Sequence, residues 1–374
     1  MVADDIYRKL QRHLDRMPVG FPATESGVEI RILKHLFTPA EAEIALELSA
    51  IPEPLSTVHR RLRSRMTLED LRGALDRMAD HGVIERVTVR EEVRYGKTIF
   101  VVGMYERQLP RLTAEFYQDT VEYFDEAFRG TFHKTATTQL RAVPVNTTII
   151  SDYTVATYDD IRAFVRTSDG PFATMNCICR HGKELTGGSC RQTKVRENCL
   201  TFGVAAETMV SSGAARHITR DEMLGLLDAA DAEGLVLEPQ NTKEPLFVCC
   251  CCGCCCGVLS MAKKFPRPVE YFTTNYYAVV NPDACEVCGQ CEARCQMDAV
   301  DLGGEAAEVR RSHCIGCGLC VTTCPSDAIS LEKTETEKIV PDNTPALYAR
   351  IFRERYGPWG TAKALGRKLL GLKI

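Results

Sequence analysis

Cys285-Glu-Val-Cys288-Gly-Gln-Cys291-Glu-Ala-Arg-Cys295 is the most informative stretch of this chain, because its spacing is repeated. The same spacing of cysteines returns 29 residues later, as Cys314-Ile-Gly-Cys317-Gly-Leu-Cys320-Val-Thr-Thr-Cys324. The residues that follow also match, since Asp298-Ala-Val corresponds to Asp327-Ala-Ile. Thiols at this spacing surround a compact metal centre. The repeat therefore predicts two half-modules that fold alike and together hold two centres.

The repeat resembles the bacterial ferredoxin family that carries two [4Fe–4S] clusters. In that family three cysteines of each run bind one cluster and the fourth crosses to the other cluster. The resemblance implies one ligand set of Cys285, Cys288, Cys291 and Cys324, and a second of Cys314, Cys317, Cys320 and Cys295. One departure is Gln296, which stands where the family pattern has proline. Zinc is the alternative, because C-x2-C pairs also bind zinc, but eight cysteines at paired spacing favour clusters.

Acidic residues dominate the sequence around this repeat. Residues 281–332 contain nine Asp and Glu against three Arg. Negative charge near a cluster disfavours a further electron. We therefore expect low reduction potentials, near the roughly −400 mV of plant-type ferredoxins.

A second cysteine group lies upstream in a basic stretch. Cys177-Ile-Cys179-Arg180-His181 is followed by Cys190 and Cys199, with further Lys and Arg residues between them. On extended backbone a C-x-C pair places both sulfurs on one side, and nearby positive charge lowers the pKa of thiols. These four cysteines predict one more [4Fe–4S] cluster. The alternative is a set of buried free cysteines packed as small apolar side chains.

The third group is the run Cys249-Cys250-Cys251-Cys252-Gly253-Cys254-Cys255-Cys256-Gly257. Exposed thiols oxidise readily, so seven thiols in eight residues predict metal ligation, and all seven are candidate ligands. Neighbouring cysteines on extended backbone point to opposite faces and can serve different centres. The two Cys-Cys-Gly tripeptides resemble those of heterodisulfide reductases, which hold a non-cubane cluster. The surrounding cysteine spacing does not fit that family, so the resemblance implies an unusual cluster and not the activity.

Residues 26–110 predict a winged helix-turn-helix. Apolar residues recur at helical spacing near residues 30–37, Thr38 opens a second helix with a capping box, and Thr67 opens a third. Val83–Val89 and Thr98–Tyr105 are predicted as strands, with the turn near Gly96. Residues 1–110 contain 17 basic and 17 acidic residues. DNA readers need a basic surface, so the balance favours a protein-docking module over DNA binding.

The chain as a whole is predicted to be a multidomain α+β protein. Its expected parts are an N-terminal segment (1–25), the winged-helix-like domain (26–110), a mixed cysteine-rich middle domain (111–260), a ferredoxin-like domain (270–332) and a basic helical tail (333–374). Helices are expected at Leu112–Phe128, Asp160–Arg166 and Asp221–Ala232. Residues 346–374 carry seven Lys and Arg against one Glu. This tail could contact the acidic module, an acidic partner or the surface of a membrane.

The order of these parts resembles the 4Fe–4S dicluster proteins of anaerobic bacteria and archaea, which implies electron transfer. Nineteen cysteines in a large chain predict a reducing cytoplasm. No signal peptide or membrane span is expected, because the uncharged stretch Pro245–Ala262 contains seven cysteines. No dinucleotide or P-loop fingerprint is present. Electrons are therefore expected to come from a protein partner, such as a ferredoxin, a flavoprotein or another oxidoreductase subunit.

Three functions are compatible with the sequence. The first is an electron-transfer subunit of a larger oxidoreductase. The second is an enzyme that reduces a substrate at an unusual cluster in 249–256, for which His181 and His217 are weak acid–base candidates and no catalytic residue is identified. The third is a redox-sensing regulator that binds DNA through the winged helix, although a sensor needs only one labile cluster.

Overall fold

The structure is a computed structural model that describes residues 2–146, 157–370 and 372–373. It divides into two compact units. The first comprises Met1–Thr135 and Tyr348–Ile374, and the second comprises Ala136–Leu347. Both units combine helices with small sheets, so the protein is of the mixed α+β class. All three cysteine groups lie in the second unit.

The first unit combines helices with a small three-stranded sheet. Its elements up to residue 132 are α1 (Val2–Leu14), α2 (Val28–Leu36), α3 (Pro39–Ala45), β1 (Glu53–Pro54), α4 (Leu55–Leu62), α5 (Leu68–Asp80), β2 (Ile84–Val89), β3 (Glu92–Lys97), α6 (Ala114–Tyr123) and α7 (Arg129–Phe132). Thr38 and Glu41 form the expected capping box at the start of α3. Thr67 caps α5 by accepting a hydrogen bond from the Asp70 N–H. The three strands pair in the order β1-β3-β2.

The hairpin differs from the prediction. The predicted strand Thr98–Tyr105 is wrong, because β3 ends at Lys97 and an irregular turn follows at Phe100–Met104. The chain reverses at Arg90 and Glu91, whose φ angles are 49° and 66°. Glycine is the stronger sequence signal for positive φ, which is why the turn was expected near Gly96. Gly96 instead lies within β3, where an added Cβ would stand 3.0 Å from the Cα of Pro52.

The second unit is built on a five-stranded antiparallel sheet with the order β6-β4-β5-β8-β7. Its strands and helices are α8 (Ile161–Thr167), β4 (Phe172–Asn176), α9 (Ile178–Leu185), β5 (Glu197–Phe202), α10 (Gly203–Ser211), β6 (Arg216–Ile218), α11 (Arg220–Ala232), β7 (Val236–Pro239), β8 (Phe247–Cys251) and α12 (Gly257–Lys263). Two of the three predicted helices thus appear as α8 and α11. The third appears as α6, followed by a helical turn to Phe128.

The two faces of this sheet have different chemistry. Leu200 lies opposite Val248, and Leu237 lies opposite Cys250. All four are buried. Side chains alternate along a strand, so the neighbours of these residues point the other way. On that second face Cys249 lies opposite both Cys199 of β5 and Glu238 of β7. The register of three strands therefore collects thiols and one carboxyl on a single face.

The duplicated cysteine region folds as two similar halves. Its elements are β9 (Tyr276–Val280), α13 (Gln290–Arg294), β10 (Val300–Asp301), β11 (Glu308–Val309) and β12 (Ile329–Lys333). The pair Val300 and Val309 in β10–β11 is related by 29 residues to the pair Ile329 and Val280 in β12–β9. Backbone conformation repeats as well, since Asp298 and Asp327 have φ angles of 50° and 51°. The sequence repeat is thus a structural repeat.

The last helix, α14 (Thr344–Leu369), is interrupted at Gly357, which has a φ of 67° and precedes Pro358. Beyond this break several large apolar side chains are exposed, including Trp359 and Leu369. Among the described residues, no helix combines the length and the apolar character needed to cross a bilayer.

Candidate metal centres

In the ferredoxin-like region, each half of the repeat donates a backbone N–H hydrogen bond to a cysteine sulfur of the other half. The Ala307 N–H donates to Cys285 Sγ at 3.4 Å, and the Ala278 N–H donates to Cys314 Sγ at 3.4 Å. Both the donors and the acceptors are 29 residues apart, so each half of the repeat supports the first cysteine of the other half. Donation to a thiolate stabilises its negative charge. This arrangement suits cysteines that bind iron.

The last cysteines of the two runs receive the same support. The Ala299 N–H donates to Cys295 Sγ at 3.2 Å, and the Ala328 N–H donates to Cys324 Sγ at 3.3 Å. Burial raises the pKa of Cys317, and the nearby thiolate of Cys295 raises it further. Cys295 therefore lies close to the second run, although it belongs to the first.

Six upstream cysteines meet on the thiol face of the large sheet. We call them the six-cysteine ring: Cys177, Cys179, Cys199, Cys249, Cys251 and Cys256. Cys177 interacts with Cys179 and Cys249, and Cys179 with Cys256. Cys251 interacts with Cys249 and Cys256, so that five of these cysteines form a closed series of neighbours, and the sixth, Cys199, lies beside Cys249. These sulfurs come from β5, β8, α9 and the start of α12.

Two members of the ring occupy helix starts. Cys177 is the N-cap of α9 and Cys256 is the N-cap of α12. The expectation of extended backbone through Cys177–Cys179 is therefore wrong, because Cys179 lies in the first turn of α9. A helix start presents free N–H groups and a partial positive charge. Both features favour thiolates over thiols. At Cys256 the hydrogen bond with Cys251 also lowers the pKa, but burial outweighs these effects and raises the pKa to about 11.

Glu238 is a member of this site that the sequence analysis missed. Its side chain is fully buried, and Oε2 accepts from the Cys256 thiol at 3.8 Å. Its carboxyl lies within 4.8 Å of the sulfurs of Cys251 and Cys256. Burial raises the pKa of Glu238 to about 8. Oε1 has no hydrogen-bond partner among the described residues. The sequence feature that could have indicated Glu238 is its position as the one acidic residue within the apolar run Leu235–Pro239.

Arg180 supplies the positive charge of the site. Its side chain is 1% exposed and donates to Asn198 Oδ1 and, at 2.9 Å, to the carbonyl of Cys250. Burial opposes its charge, but the thiolates of Cys177 and Cys252 outweigh burial and raise its pKa. A buried guanidinium next to several thiols fits a centre that carries negative charge when bound.

The remaining upstream thiols form a second, tighter group. We call it the four-cysteine set: Cys190, Cys252, Cys254 and Cys255. All four sulfurs lie within 4.8 Å of one another. This grouping differs from the one expected from position along the chain, which placed Cys190 with Cys177, Cys179 and Cys199. The reason is that Cys190 follows α9 on a loop that reaches the turn after β8.

Cys250 belongs to neither group. It is 2% exposed and shares its face of β8 with Val248. Burial raises its pKa to about 12, as expected for a thiol in an apolar environment. Of the seven cysteines in the run, Cys250 lies in the apolar core. The other six belong to the six-cysteine ring or to the four-cysteine set.

Gln296 connects the upstream cysteines with the ferredoxin-like region. Its Oε1 accepts a hydrogen bond of 2.8 Å from the Gly253 N–H, and it is 7% exposed. Gly253 lies between Cys252 and Cys254, and Gln296 follows Cys295. A proline at residue 296, as in the ferredoxin pattern, would have no side-chain acceptor for this contact. The departure from the pattern thus has a structural role.

Comparison with known proteins gives one match. The family model of the 4Fe-4S binding domain matches residues 307–330, which include the second cysteine run. No curated protein and no solved structure shows significant similarity to the chain. Together with the clustered cysteines, the match supports an iron–sulfur protein with at least one [4Fe–4S] site and a role in electron transfer.

Proposed function

We propose that this chain is a cytoplasmic electron-transfer subunit of a larger oxidoreductase. It would exchange low-potential electrons with a ferredoxin, a flavoprotein or another subunit. The observation that carries the proposal is the contact between Gly253 and Gln296. It joins the cysteine run to the residue next to Cys295, so that the candidate metal centres lie in one continuous unit rather than in separate modules.

The proposed ligands of the first ferredoxin cluster are Cys285, Cys288, Cys291 and Cys324, and those of the second are Cys314, Cys317, Cys320 and Cys295. When bound, [4Fe–4S] clusters accept and release single electrons. The chain contributes the thiolates and the N–H groups of Ala278, Ala299, Ala307 and Ala328 that point at sulfur. These donors favour the more negative form of a centre.

The six-cysteine ring is the proposed site of a third iron–sulfur centre. Six thiols exceed the four ligands of one cubane, and Glu238 adds a carboxyl oxygen that has no hydrogen-bond partner in the described part of the chain. The donor set thus fits a centre that is larger than a cubane or of non-cubane type. Arg180 offsets the negative charge of this centre, which lowers the free-energy cost of burying several thiolates.

The proposed partners follow from the acidic charge of residues 281–332, and the proposed location follows from the absence of disulfide bonds among the described cysteines. Nine acidic residues against three basic ones over residues 281–332 favour a partner with a basic docking surface. All nineteen cysteines fall in the described part of the chain, and none of them forms a disulfide bond there. This supports a reducing compartment.

One observation favours a second candidate function, the reduction of a substrate at the ring. Glu238 is a buried carboxyl within 4.8 Å of two ring sulfurs, and among the residues that the structure describes its Oε1 has no hydrogen-bond partner. Such a group could deliver a proton to a bound substrate. The two functions differ in one respect, because an enzyme of this kind would turn over a small molecule without any protein partner.

The test is isolation of the full chain without oxygen, followed by iron analysis and EPR spectroscopy. We expect roughly twelve or more iron atoms per chain, since two cubanes account for roughly eight. Cys249→Ser should remove the iron of the ring and keep both ferredoxin signals, whereas Cys250→Ala should keep all iron. A wild-type content near eight would refute the third centre. Specific turnover of a small molecule by the isolated chain would favour the enzyme.

A further inference from the structure

The four-cysteine set has dimensions that differ from those of the other thiol groups. Cys190 Sγ lies 3.8 Å from both Cys252 Sγ and Cys254 Sγ. Cys254 Sγ lies 3.7 Å from Cys252 Sγ and 3.5 Å from Cys255 Sγ. All six distances are below 4.8 Å. The four sulfurs therefore occupy the corners of a small tetrahedron.

These distances match the coordination of one metal ion. A Zn–S bond of about 2.3 Å in tetrahedral geometry places the sulfurs about 3.8 Å apart. In a cubane each thiolate binds a different iron, so its four ligands must stand further apart. The ferredoxin cysteines provide an internal comparison. Among the described residues, no three of those eight bring their sulfurs within 4.8 Å of one another.

The local backbone also suits a single ion. Cys252 and Cys255 have the C-x2-C spacing found in structural zinc sites. The Cys255 and Cys256 N–H groups donate to the Cys252 carbonyl at 3.4 and 3.1 Å, which folds the segment into a tight turn. This turn presents three thiols on one side, and Cys190 supplies the fourth from another loop. Four protein ligands leave no open position for substrate.

Charge around the set supports the same occupant. One Zn²⁺ bound by four thiolates carries a net charge of −2. Lys183 Nζ donates to the Cys254 carbonyl at 2.8 Å, and the buried guanidinium of Arg180 lies near Cys252. Two positive side chains thus compensate the site. Divalent zinc binds thiolate sites more tightly than divalent iron does.

We infer that Cys190, Cys252, Cys254 and Cys255 bind one Zn²⁺ ion in a closed tetrahedral site. The ion ties the loop of Cys190 to the turn that contains Gly253, and so holds Gly253 against Gln296. Its role is structural, since zinc has no redox chemistry. This inference is independent of the proposed electron transfer, because it concerns thiols that the ring and the ferredoxin sites do not use.

The test is metal analysis and zinc-edge X-ray absorption of the full chain isolated without oxygen. We expect one zinc per chain with four sulfur neighbours at about 2.3 Å. Cys190→Ser and Cys254→Ser should each lower the zinc content at least tenfold and leave the iron content unchanged. Cys250→Ala is the matched control, because Cys250 lies outside both groups, and it should keep its zinc.

Three outcomes would overturn the inference. The first is a wild-type chain without zinc, and the second is zinc that persists in both serine variants. The third is the loss of about four iron atoms in Cys190→Ser, which would indicate a cubane. If the serine variants fail to fold, the absorption spectrum of the wild-type chain still decides. Nitrogen or oxygen neighbours around its zinc would refute the four-thiolate site. Failure of the electron-transfer proposal would appear in the iron content instead.

Discussion

The N–H of Gly253 donates to Oε1 of Gln296 at 2.8 Å, and a side chain at residue 253 would force the neighbouring backbone to shift. An added Cβ would stand 2.3 Å from the Gln296 carbonyl oxygen. This close approach fixes the cysteine run against the ferredoxin-like region. The distance between redox centres controls electron exchange, so under the proposed function this contact would set the spacing between the upstream centre and the ferredoxin clusters.

Gly253→Ala should loosen this junction. We expect a steric cost of about 1–3 kcal/mol, unchanged ferredoxin EPR signals and electron exchange with the ring slowed at least tenfold, measured by rapid-freeze EPR after mixing with dithionite. Gly303→Ala is the matched control, because a Cβ at residue 303 meets nothing within 4 Å. Equal rates in the two variants would contradict the importance of the junction.

Arg180→Gln should lower the reduction potential of the centre in the six-cysteine ring. A nearby cation stabilises the more negative, reduced form, so removing it disfavours reduction. We expect a decrease of about 60 mV or more, which corresponds to a tenfold change in a one-electron equilibrium. EPR-monitored redox titration measures this shift. Arg180→Lys keeps the charge and should restore most of the potential, whereas a structural role alone would leave both variants equally altered.

Lys97 should make the stability of the first unit depend on pH. Its side chain is 4% exposed, and burial, with help from Arg16 and Lys373, lowers its pKa to about 7. The unfolded chain then binds more protons than the folded chain between pH 7 and about 10, so stability rises with pH over this range. Lys97→Met should stabilise the chain at pH 7 by more than about 1 kcal/mol and remove the rise.

Urea unfolding followed by circular dichroism at pH 7 and pH 9.5 checks this expectation. Lys9→Met is the control, since Lys9 is exposed and pairs with Asp5 on the surface. A wild-type stability that stays constant or falls over this range would show that Lys97 is charged in the folded state.

The first unit should not bind duplex DNA at physiological salt. The helix α5, which would enter the groove in a winged helix, carries four acidic residues and two arginines. Arg61 of the basic run 59–65 is already paired with Glu53. Fluorescence anisotropy with mixed-sequence duplexes should give dissociation constants no tighter than the roughly 10⁻⁴–10⁻⁶ M of non-specific binding. Tight, sequence-selective binding would instead favour the regulator.

The end of the tail should bind anionic membranes weakly. Trp359 and Leu369 are 88% and 81% exposed, and Lys363, Arg367 and Lys368 lie in the same segment. Exposed aromatic and basic residues on one helix are typical of interfacial binding. Co-sedimentation with vesicles containing anionic lipid should be measurable and should fall at high salt. Trp359→Ala should weaken it, and binding to neutral vesicles of equal strength would argue against this mode.

The two similar halves of the ferredoxin-like region could be predicted from sequence, because the cysteine spacing is local and is repeated. The distance from Cys285 to Cys291 along the chain restricts where their sulfurs can lie, and the 29-residue repeat predicted two equivalent halves. Helix starts at Thr38 and Thr67 were also predictable, since a cap is made within one turn. The hairpin turn at Arg90 was not, because neither Arg nor Glu favours positive φ.

The upstream cysteines show what only the tertiary structure decided. The sequence predicted them as metal ligands and grouped them by their position along the chain, with Cys190 beside Cys179. The pairing of β5 with β8 places Cys199 opposite Cys249, and the alternation of β8 turns Cys250 into the core. Glu238 joins the site through the pairing of β7 with β8. Strand register and loop docking bring together residues that are distant along the chain, and one-residue shifts of register reverse the face of every side chain.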